Sequence, residues 1–213
     1  MGDNSSMEIA AWLQGVGTVA AVIVALFLEL FLVWWRRPRF DFTISLDPRD
    51  NDLSTYEREG HDQYVSWLRG KVHVTDGKVP ALKVEVLVQD WRSPENQDVP
   101  FAHGNSFNWA NSEDEVVRVA PGTWRRVDLL AWMASINEPG IPTLWIPLRS
   151  ARGYPPRSWF HLTKSGDYEL DLVVVADNSM SSRWCLKFTY APRIVESIED
   201  FRASVTNVQL VRR

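Results

Sequence analysis

Histidine is the side chain that most often serves as a metal ligand or a general base near neutral pH, and this chain has four. They are far apart in the sequence, at His61, His73, His103 and His161. No H-E-x-x-H motif is present, and no pair has the i, i+4 spacing that places two ligands on one helix face. The simpler interpretation makes His73 and His161 strand residues and the other two loop residues, and we predict no metal site.

Motifs for phosphate binding and nucleophilic catalysis are also missing from the sequence. Gly70-Lys71 and Gly77-Lys78 do not stand in the G-x-x-x-x-G-K-[ST] pattern of a phosphate-binding loop. No G-x-S-x-G sequence marks a nucleophilic serine, and no spacing singles out a Ser-His-Asp triad. The acidic run Glu113–Glu115 could bind a cation if its carboxylates converged, but such runs are usually solvated. We therefore expect no catalytic residue, no cofactor and no enzyme.

The densest group of cations in the C-terminal part of the chain consists of arginines. Its members are Arg125, Arg126, Arg149, Arg152 and Arg157. Such a group could contact anionic lipid or phosphate if it lay close to a membrane. Solvation in a loop is the commoner role for such residues, and we favour it.

Tryptophan is unusually frequent, with eleven residues in the chain and eight of them after residue 35. These eight are Trp67, Trp91, Trp109, Trp124, Trp132, Trp145, Trp159 and Trp184. Most are expected to fill a core, because burial of the large indole is strongly stabilising. The alternative is a groove for a planar ligand or a partner, and Trp109 and Trp159 are the candidates because their surroundings are loop-like.

Charge and cysteine content bear on the class of protein. All 23 Lys and Arg residues follow residue 35, and three of the 27 Asp and Glu residues precede it, so residues 36–213 have a net charge of −1. This near-neutral balance does not favour nucleic acid as a partner. Cys185 is the only cysteine, so one chain can form neither an internal disulfide nor a cysteine zinc cluster. That composition agrees with a reducing cytoplasm.

The residues considered so far follow a long apolar segment, Ile9 to Trp35, in which Glu29 is the only charge among 27 residues. A helix of this length extends roughly 40 Å, which is enough to cross a hydrocarbon layer of about 30 Å. No basic residue precedes it, and RRP follows it directly, so it does not resemble a cleavable signal peptide. We predict one transmembrane helix that remains attached as a signal-anchor.

Flanking residues predict the orientation of this helix in the plasma membrane. Asp3 and Glu8 precede it, and the basic residues Arg36, Arg37 and Arg39 follow it. By the positive-inside rule the N-terminus should be outside and the C-terminal part in the cytoplasm. The residues expected at the two membrane interfaces are Trp12, Trp34, Trp35, Arg36, Arg37 and Arg39.

One face of the predicted helix is small and polar. At 100° per residue, an arc of about 80° contains Ala11, Gln14, Thr18, Ala21, Ala25 and Glu29. Small residues allow close approach of helices and Gln or Thr can hydrogen-bond across the contact, so this face is a candidate interface with a second copy or a membrane partner. The alternatives are a lone alanine-rich anchor and, for Glu29, a carboxylate that reaches the inner interface instead of a buried contact.

The chain therefore divides into a short external N-terminus (1–8), the transmembrane helix (9–35), a basic linker (36–39) and one cytoplasmic domain (40–213). Alternating apolar residues and turn signals in that domain predict eight or nine short strands without strand–helix alternation. Strands are expected at 40–46, 64–75, 81–91, 115–119, 124–132, 143–148, 159–163, from 168 into the apolar run that follows, and 183–190, with a final strand at 205–211.

Turn and loop signals refine this outline. Residues 47–62 are expected to be a loop, and 194–203 a helical turn or two. Asp76-Gly77 and Pro121-Gly122 each predict a turn between neighbouring strands. An antiparallel sandwich or barrel is indicated, and we favour the sandwich.

Three segments resemble immunoglobulin-like β-sandwich modules. VHVTDGKVPALKVEVLV, with Gly77, Ala81, Val84, Val86 and Val88, resembles their strand–turn–strand pattern. SGDYELDL is similar to the approach to strand F, so the resemblance implies that Tyr168 forms a tyrosine corner, although Leu170 stands where disulfide-bonded domains have cysteine. With residues 118–130, the likeness extends to uncharacterised bacterial single-pass membrane proteins with a cytoplasmic sandwich. It implies no catalytic residues.

These observations lead to a membrane-tethered binding module whose partners are the lipid bilayer and an unidentified cytoplasmic protein or small ligand. The alternative is an oligomeric membrane effector or sensor, for example in bacterial defence, whose sandwich detects a ligand and whose helices rearrange.

Overall fold

The computed structural model describes residues 4–45, 54–58, 61–76, 79–94, 105–110, 116–135, 143–149, 158–162, 164–193 and 203–213. Helix α1 spans Asn4–Trp35. The strands in the described part are β1 Arg39–Ser45, β2 Ser54–Arg58, β3 His61–Asp76, β4 Ala81–Arg92, β5 Ser106–Phe107, β6 Val117–Val119, β7 Trp124–Ser135, β8 Thr143–Arg149, β9 Ser158–Leu162, β10 Gly166–Val175, β11 Ser182–Tyr190 and β12 Val205–Arg212.

The chain forms two units, residues 1–37 and 38–213. The first contains α1, whose stretch Trp12–Trp35 is long and apolar enough to span a membrane. These 24 residues extend about 36 Å as a helix. The helix ends three residues before Pro38, as expected from the restricted backbone of residues that precede proline. It begins earlier than predicted and includes residues 4–8.

The second unit is an antiparallel sheet with the strand order β1-β3-β7-β8-β5-β4-β10-β11-β12. Three further strands lie off this path: β2 pairs with β3, β6 with β4 and β9 with β8. Strand β1, at one end of the order, also approaches β12, at the other end. The predicted mainly antiparallel β class with one N-terminal apolar helix is therefore confirmed, and the sheet is barrel-like.

The core lies inside the curved sheet and follows from alternation along the strands. In β10, Tyr168, Leu170 and Leu172 are buried, whereas Glu169 and Asp171 between them are partly exposed. The same two-residue period recurs in β11. One cluster of buried side chains connects residues from β1, β3, β4, β7, β8, β10 and β11.

Gly70 in β3 has no side chain, and the ring of Phe42 packs against its backbone. A Cβ atom added to Gly70 would lie 2.3 Å from Cε2 of Phe42 in β1. The Phe42 ring in turn meets Trp184 of β11 edge to face, with ring centroids 6.0 Å apart. Glycine at position 70 thus allows an aromatic contact between two separate strands of the sheet.

Tyr168 makes the hydrogen bond expected of a tyrosine corner. Its hydroxyl donates to the backbone oxygen of Lys164, four residues upstream, at 2.6 Å. Its ring stacks on Phe188 with centroids 5.3 Å apart and contacts Trp91 at 5.4 Å. Leu170, where the resemblance to disulfide-bonded domains would place a cysteine, is fully buried.

The prediction that the Asp76-Gly77 turn connects neighbouring strands is wrong. Both runs are strands, but β3 pairs with β1, β2 and β7, whereas β4 pairs with β5, β6 and β10. The short link between Asp76 and Ala81 leads from one part of the sheet to another. Local turn residues specify a change of chain direction, but they do not specify which strand supplies the hydrogen bonds.

The Pro121-Gly122 turn shows the same effect. The turn is present, because Gly122 has a φ of 72° and the amide of Thr123 donates to the oxygen of Ala120 at 3.1 Å. The flanking strands nevertheless diverge, with β6 pairing with β4 and β7 pairing with β3.

Two other local predictions meet different outcomes. Residues 47–62 are not all loop, because 54–58 form β2 and β3 begins at His61. Pairing with the long strand β3 stabilises this segment despite its polar sequence. Residues 194–202 lie outside the described part, so the helical turn predicted at 194–203 stays a prediction.

Candidate functional site

The helix residues predicted to form an interface lie on α1. Those with described side chains are Gln14, Thr18, Ala21, Ala25 and Glu29, and all are exposed in the single chain; the Ala11 side chain lies outside the described part. The hydroxyl of Thr18 donates to the backbone oxygen of Gln14 at 2.8 Å. The hydroxyl proton of Thr18 is therefore already hydrogen-bonded within α1. The side-chain amide of Gln14 is the better donor for a contact with another helix.

The predicted membrane-interface residues lie at the two ends of the apolar segment. Trp12 is exposed near its start. Trp34 and Trp35 are exposed at its end, where the Phe31 ring lies 6.0 and 5.8 Å from theirs. The side chains of Arg36, Arg37 and Arg39 are also exposed.

Of the two tryptophans proposed to line a groove, one is buried and the other has a side chain outside the described part. Trp109 is only 3% exposed and belongs to the core cluster, and its indole N–H has no hydrogen-bond partner among the described residues. Trp159 lies on β9, with a side chain outside the described part. The shared groove therefore stays a prediction.

A different tryptophan, Trp124, lies at an exposed site rich in positive charge. It is the first residue of β7, and its side chain is 46% exposed. The Nζ atom of Lys71 lies 5.0 Å from its ring centroid, and Cζ of Arg126 lies 4.9 Å from it. Both distances are within the range of cation–π attraction.

The register of two strands brings these residues together. Lys71 in β3 lies opposite Arg126 in β7, and His73 lies opposite Trp124. Like charges directly opposite each other in a sheet repel, and contact with an electron-rich ring face offsets part of that cost. We call Lys71, Trp124 and Arg126 the Trp124 site; it presents an indole and two cations that suit an anionic group or a polar–apolar boundary.

The Trp124 site adjoins a buried ion pair on the same two strands. Nε of Arg69 lies 2.8 Å from Oδ1 of Asp128, and the two side chains are only 8% and 10% exposed. Cζ of Arg69 also lies 5.8 Å from the ring centroid of Trp67. This pair stabilises the pairing of β3 with β7 next to the Trp124 site, because a buried charge is less costly when an opposite charge lies beside it.

A second group of charges is centred on Glu169 in β10. Its carboxylate accepts a hydrogen bond from Lys187 and lies 3.3 Å from Arg92 and 3.8 Å from Arg213. Arg213 also pairs with Asp171 at 2.7 Å. The hydrogen bond from Lys187 is the main cause that lowers the pKa of Glu169, and the three neighbouring positive charges add to it.

Cys185 lies beside this group on β11, opposite Asp171. The thiol is 1% exposed, and burial, followed by the hydrogen bond with Asp171, raises its pKa. A protonated, buried thiol is a poor nucleophile, so Cys185 behaves as a core-lining residue.

Among the described residues, no group of three or more His, Cys, Asp or Glu side chains is close enough to hold a metal ion. Of the predicted loop arginines, Arg126 is part of the Trp124 site, and Arg125 is exposed next to it. A signal for this site was present in the sequence, because period-2 alternation places Lys71 with His73 and Trp124 with Arg126 on the same strand faces. It did not indicate that β3 and β7 pair.

Comparison of the chain with protein-family models, curated proteins and solved structures found no match.

Removal of one partner of the buried Arg69–Asp128 ion pair should lower the free energy of unfolding substantially. We expect Asp128→Ala to lower the free energy of unfolding by about 3–5 kcal/mol, because the buried guanidinium of Arg69 loses this carboxylate. The double change Arg69→Met with Asp128→Leu should cost less than Asp128→Ala alone. Urea unfolding of the full chain in mild detergent measures both.

The matched control is Asp177→Ala, which removes an exposed ion pair with Lys83 of nearly the same length, 2.9 Å. It should cost less than about 1 kcal/mol. Equal losses for the buried and exposed changes would contradict a stabilising role for Arg69 and Asp128 in the pairing of β3 with β7.

Acid stability should report on Glu169. Folding lowers the pKa of this carboxyl from its ordinary value of 4.5. Its contribution to stability is therefore present above that value and is lost as the pH falls through the lower native pKa. Between about pH 5 and pH 3, the free energy of unfolding should fall less steeply in Glu169→Gln than in the wild type.

Lys187→Met removes the main partner of Glu169. The free energy of unfolding of this variant should therefore also fall less steeply between about pH 5 and pH 3 than that of the wild type. Denaturant titrations at a series of pH values measure the slopes. Parallel curves for the wild type and both variants would show that the pKa of Glu169 is the same in the folded and unfolded chain.

Proposed function

We propose that this protein is a single-pass, membrane-tethered recognition module. In this proposal α1 anchors the chain in the plasma membrane with its N-terminus outside, and the β-domain binds a protein or small ligand on the cytoplasmic side. The observation that carries the proposal is the exposed apolar helix Trp12–Trp35, followed within a few residues by the first strand of a separately folded β-domain.

Three features support the orientation and the role. Arg36, Arg37 and Arg39 follow the helix, and no Lys or Arg precedes it. The single cysteine, Cys185, suits a reducing compartment. The Trp124 site offers an exposed indole and two cations, which are recognition groups.

The immunoglobulin-like character of the domain belongs to the same proposal. It is supported by the hydrogen bond from Tyr168 to Lys164 and by the antiparallel strands around a common core. With the anchor, these features also support membership among bacterial single-pass proteins with a cytoplasmic sandwich. In this proposal the sandwich is one whose first and last strands in the sheet order, β1 and β12, approach each other and make the sheet barrel-like.

Fractionation and protease accessibility test the tether and its direction. The full chain should stay in the membrane pellet after alkaline extraction. External protease should spare the β-domain in spheroplasts and digest it in inverted vesicles, because the domain faces the cytoplasm. A freely soluble chain, or digestion in intact spheroplasts, would overturn the proposal.

An oligomeric effector or sensor is the second candidate, and the polar face of α1 favours it. Gln14 and Glu29 lie on the same side of α1, and the other residues from Trp12 to Trp35 are mostly apolar. Polar groups in the bilayer usually face protein or water, so a contact between copies would satisfy both.

Crosslinking of the full chain in membranes separates the two candidates. We expect Glu29→Leu to reduce crosslinked oligomers and any depolarisation of expressing cells if the helices assemble through this face. Phe27→Leu, on the opposite face, is the matched control and should change neither. A strictly monomeric wild type would eliminate the effector.

A further inference from the structure

Four turns and strand ends meet at the end of the β-domain where it begins, at Pro38. We call them the Pro38 rim: residues 38–39, 80–83, 120–124 and 177–180. The hydroxyl of Ser179 donates to the oxygen of Pro38 at 2.6 Å. This hydrogen bond attaches the β10–β11 turn to the first residue of the domain.

Further hydrogen bonds connect the remaining segments of the rim. Asn178 donates through Nδ2 to the oxygen of Pro80 at 2.9 Å and accepts from the amide of Leu82 at 3.0 Å. The amide of Gly122 donates to the oxygen of Val74, which lies in register with Phe40 of β1. These contacts place the four segments at the same end of the domain.

Among the described residues of the domain, most of the large exposed apolar side chains lie on the Pro38 rim. Outside α1, the described exposed large hydrophobic residues are Leu82, Val116, Trp124, Met180 and Val211. Three of the five belong to the rim: Leu82 is 43% exposed, Trp124 46% and Met180 66%. Their concentration at one end is the pattern of an interaction surface.

A β-bulge presents one of these residues. Between Ala81 and Val84, β4 advances by three residues while its partner β6 advances by two. The extra residue is accommodated at Lys83, whose φ of 49° is rare for a side chain other than glycine. As a result, Ala81 and Val84 stay in the core, and Leu82 and Lys83 are both exposed.

Positive charge accompanies the apolar groups. Arg39 and Arg125 are exposed at the rim, and Lys71 and Arg126 lie over the Trp124 ring. Lys83 is also exposed and pairs with Asp177, the acidic side chain described on the rim. Cations around protruding Leu, Met and Trp side chains suit the boundary of an anionic bilayer, where phosphates meet acyl chains.

The covalent chain limits how far this rim can lie from the end of the apolar helix. Three residue steps separate Trp35 from Pro38, and a fully extended chain covers at most about 11 Å in three steps. The polar layer on each side of a bilayer is about 5–8 Å deep. Because the tether keeps the rim at high effective concentration near lipid, weak attraction is sufficient for docking.

We propose that the Pro38 rim docks on the anionic headgroup layer of the membrane that holds α1, with Leu82, Trp124 and Met180 inserted at its surface. This inference rests on the proposed membrane tether. Docking would fix the orientation of the domain and leave its opposite end, at the β9–β10 turn, toward the cytoplasm.

An environment-sensitive NBD dye at position 180 tests the docking. Met180→Cys in the full chain is labelled and reconstituted in vesicles of phosphatidylcholine with phosphatidylglycerol. Emission should shift to the blue, and lipids with a shallow doxyl quencher should quench it several-fold more than at the control position. That control is Ser165→Cys, an exposed site at the far end of β10. The wild-type chain gives the background from Cys185.

Charge variants test the electrostatic part. Arg125→Glu should weaken quenching at position 180, whereas Lys164→Glu, the same charge change at the far end, should not. Pure phosphatidylcholine vesicles should give weaker quenching than anionic ones.

Three outcomes would overturn the proposal. Solvent-like emission at position 180 in chains that float with anionic vesicles would disprove docking and leave the tether intact. If the dye at position 180 emits equally far to the blue in detergent, where there is no lipid surface, its contact is with a second copy or another protein instead of lipid. Chains that do not float with the vesicles would disprove the tether itself, and docking with it.

Discussion

A β-sheet has unpaired N–H and C=O groups at its two outer strands, and in this domain the approach of those two strands, which makes the sheet barrel-like, is the constraint that organises the rest. The strand order runs from β1 to β12, and these two strands approach each other. Among the described residues the inner face of the curved sheet is then mainly apolar, and the alternating charged residues lie on the outer face. The charged groups around Asp128 and around Glu169 follow from that separation.

Closure also determines what lies at each end. Antiparallel strands return repeatedly to the same end, so links that are distant in sequence become neighbours in space. In this domain several of them meet near Pro38, its first residue. For the proposed membrane-tethered module, a fixed orientation of the domain would lower the entropy cost of binding a partner.

Much of the architecture could be predicted from local sequence, because local physics determines it. The apolar run before Arg36 specified α1, and alternation specified strands such as β4, β7 and β11. Tyr168 made its expected hydrogen bond. The pairing of strands could not be predicted, since Asp76-Gly77 and Pro121-Gly122 indicate turns and contain no information about distant partners.

The candidate site shows the same limit. Lys71 and Trp124 are more than fifty positions apart in the sequence, and they meet only because β3 lies beside β7. Trp109 illustrates the converse, since its surroundings look like a loop but a single bridge to Val127 places its ring in the core. Local polarity therefore did not predict its burial.

The contact between Gly70 and Phe42 has a consequence for how this sequence can vary. The ring occupies the volume that a side chain at position 70 would need, so neither position can change independently toward larger residues. Divergent relatives should show compensated substitutions, in which any residue with a Cβ at position 70 occurs together with a smaller one at position 42. Such covariation would also reveal the β1–β3 register without a structure.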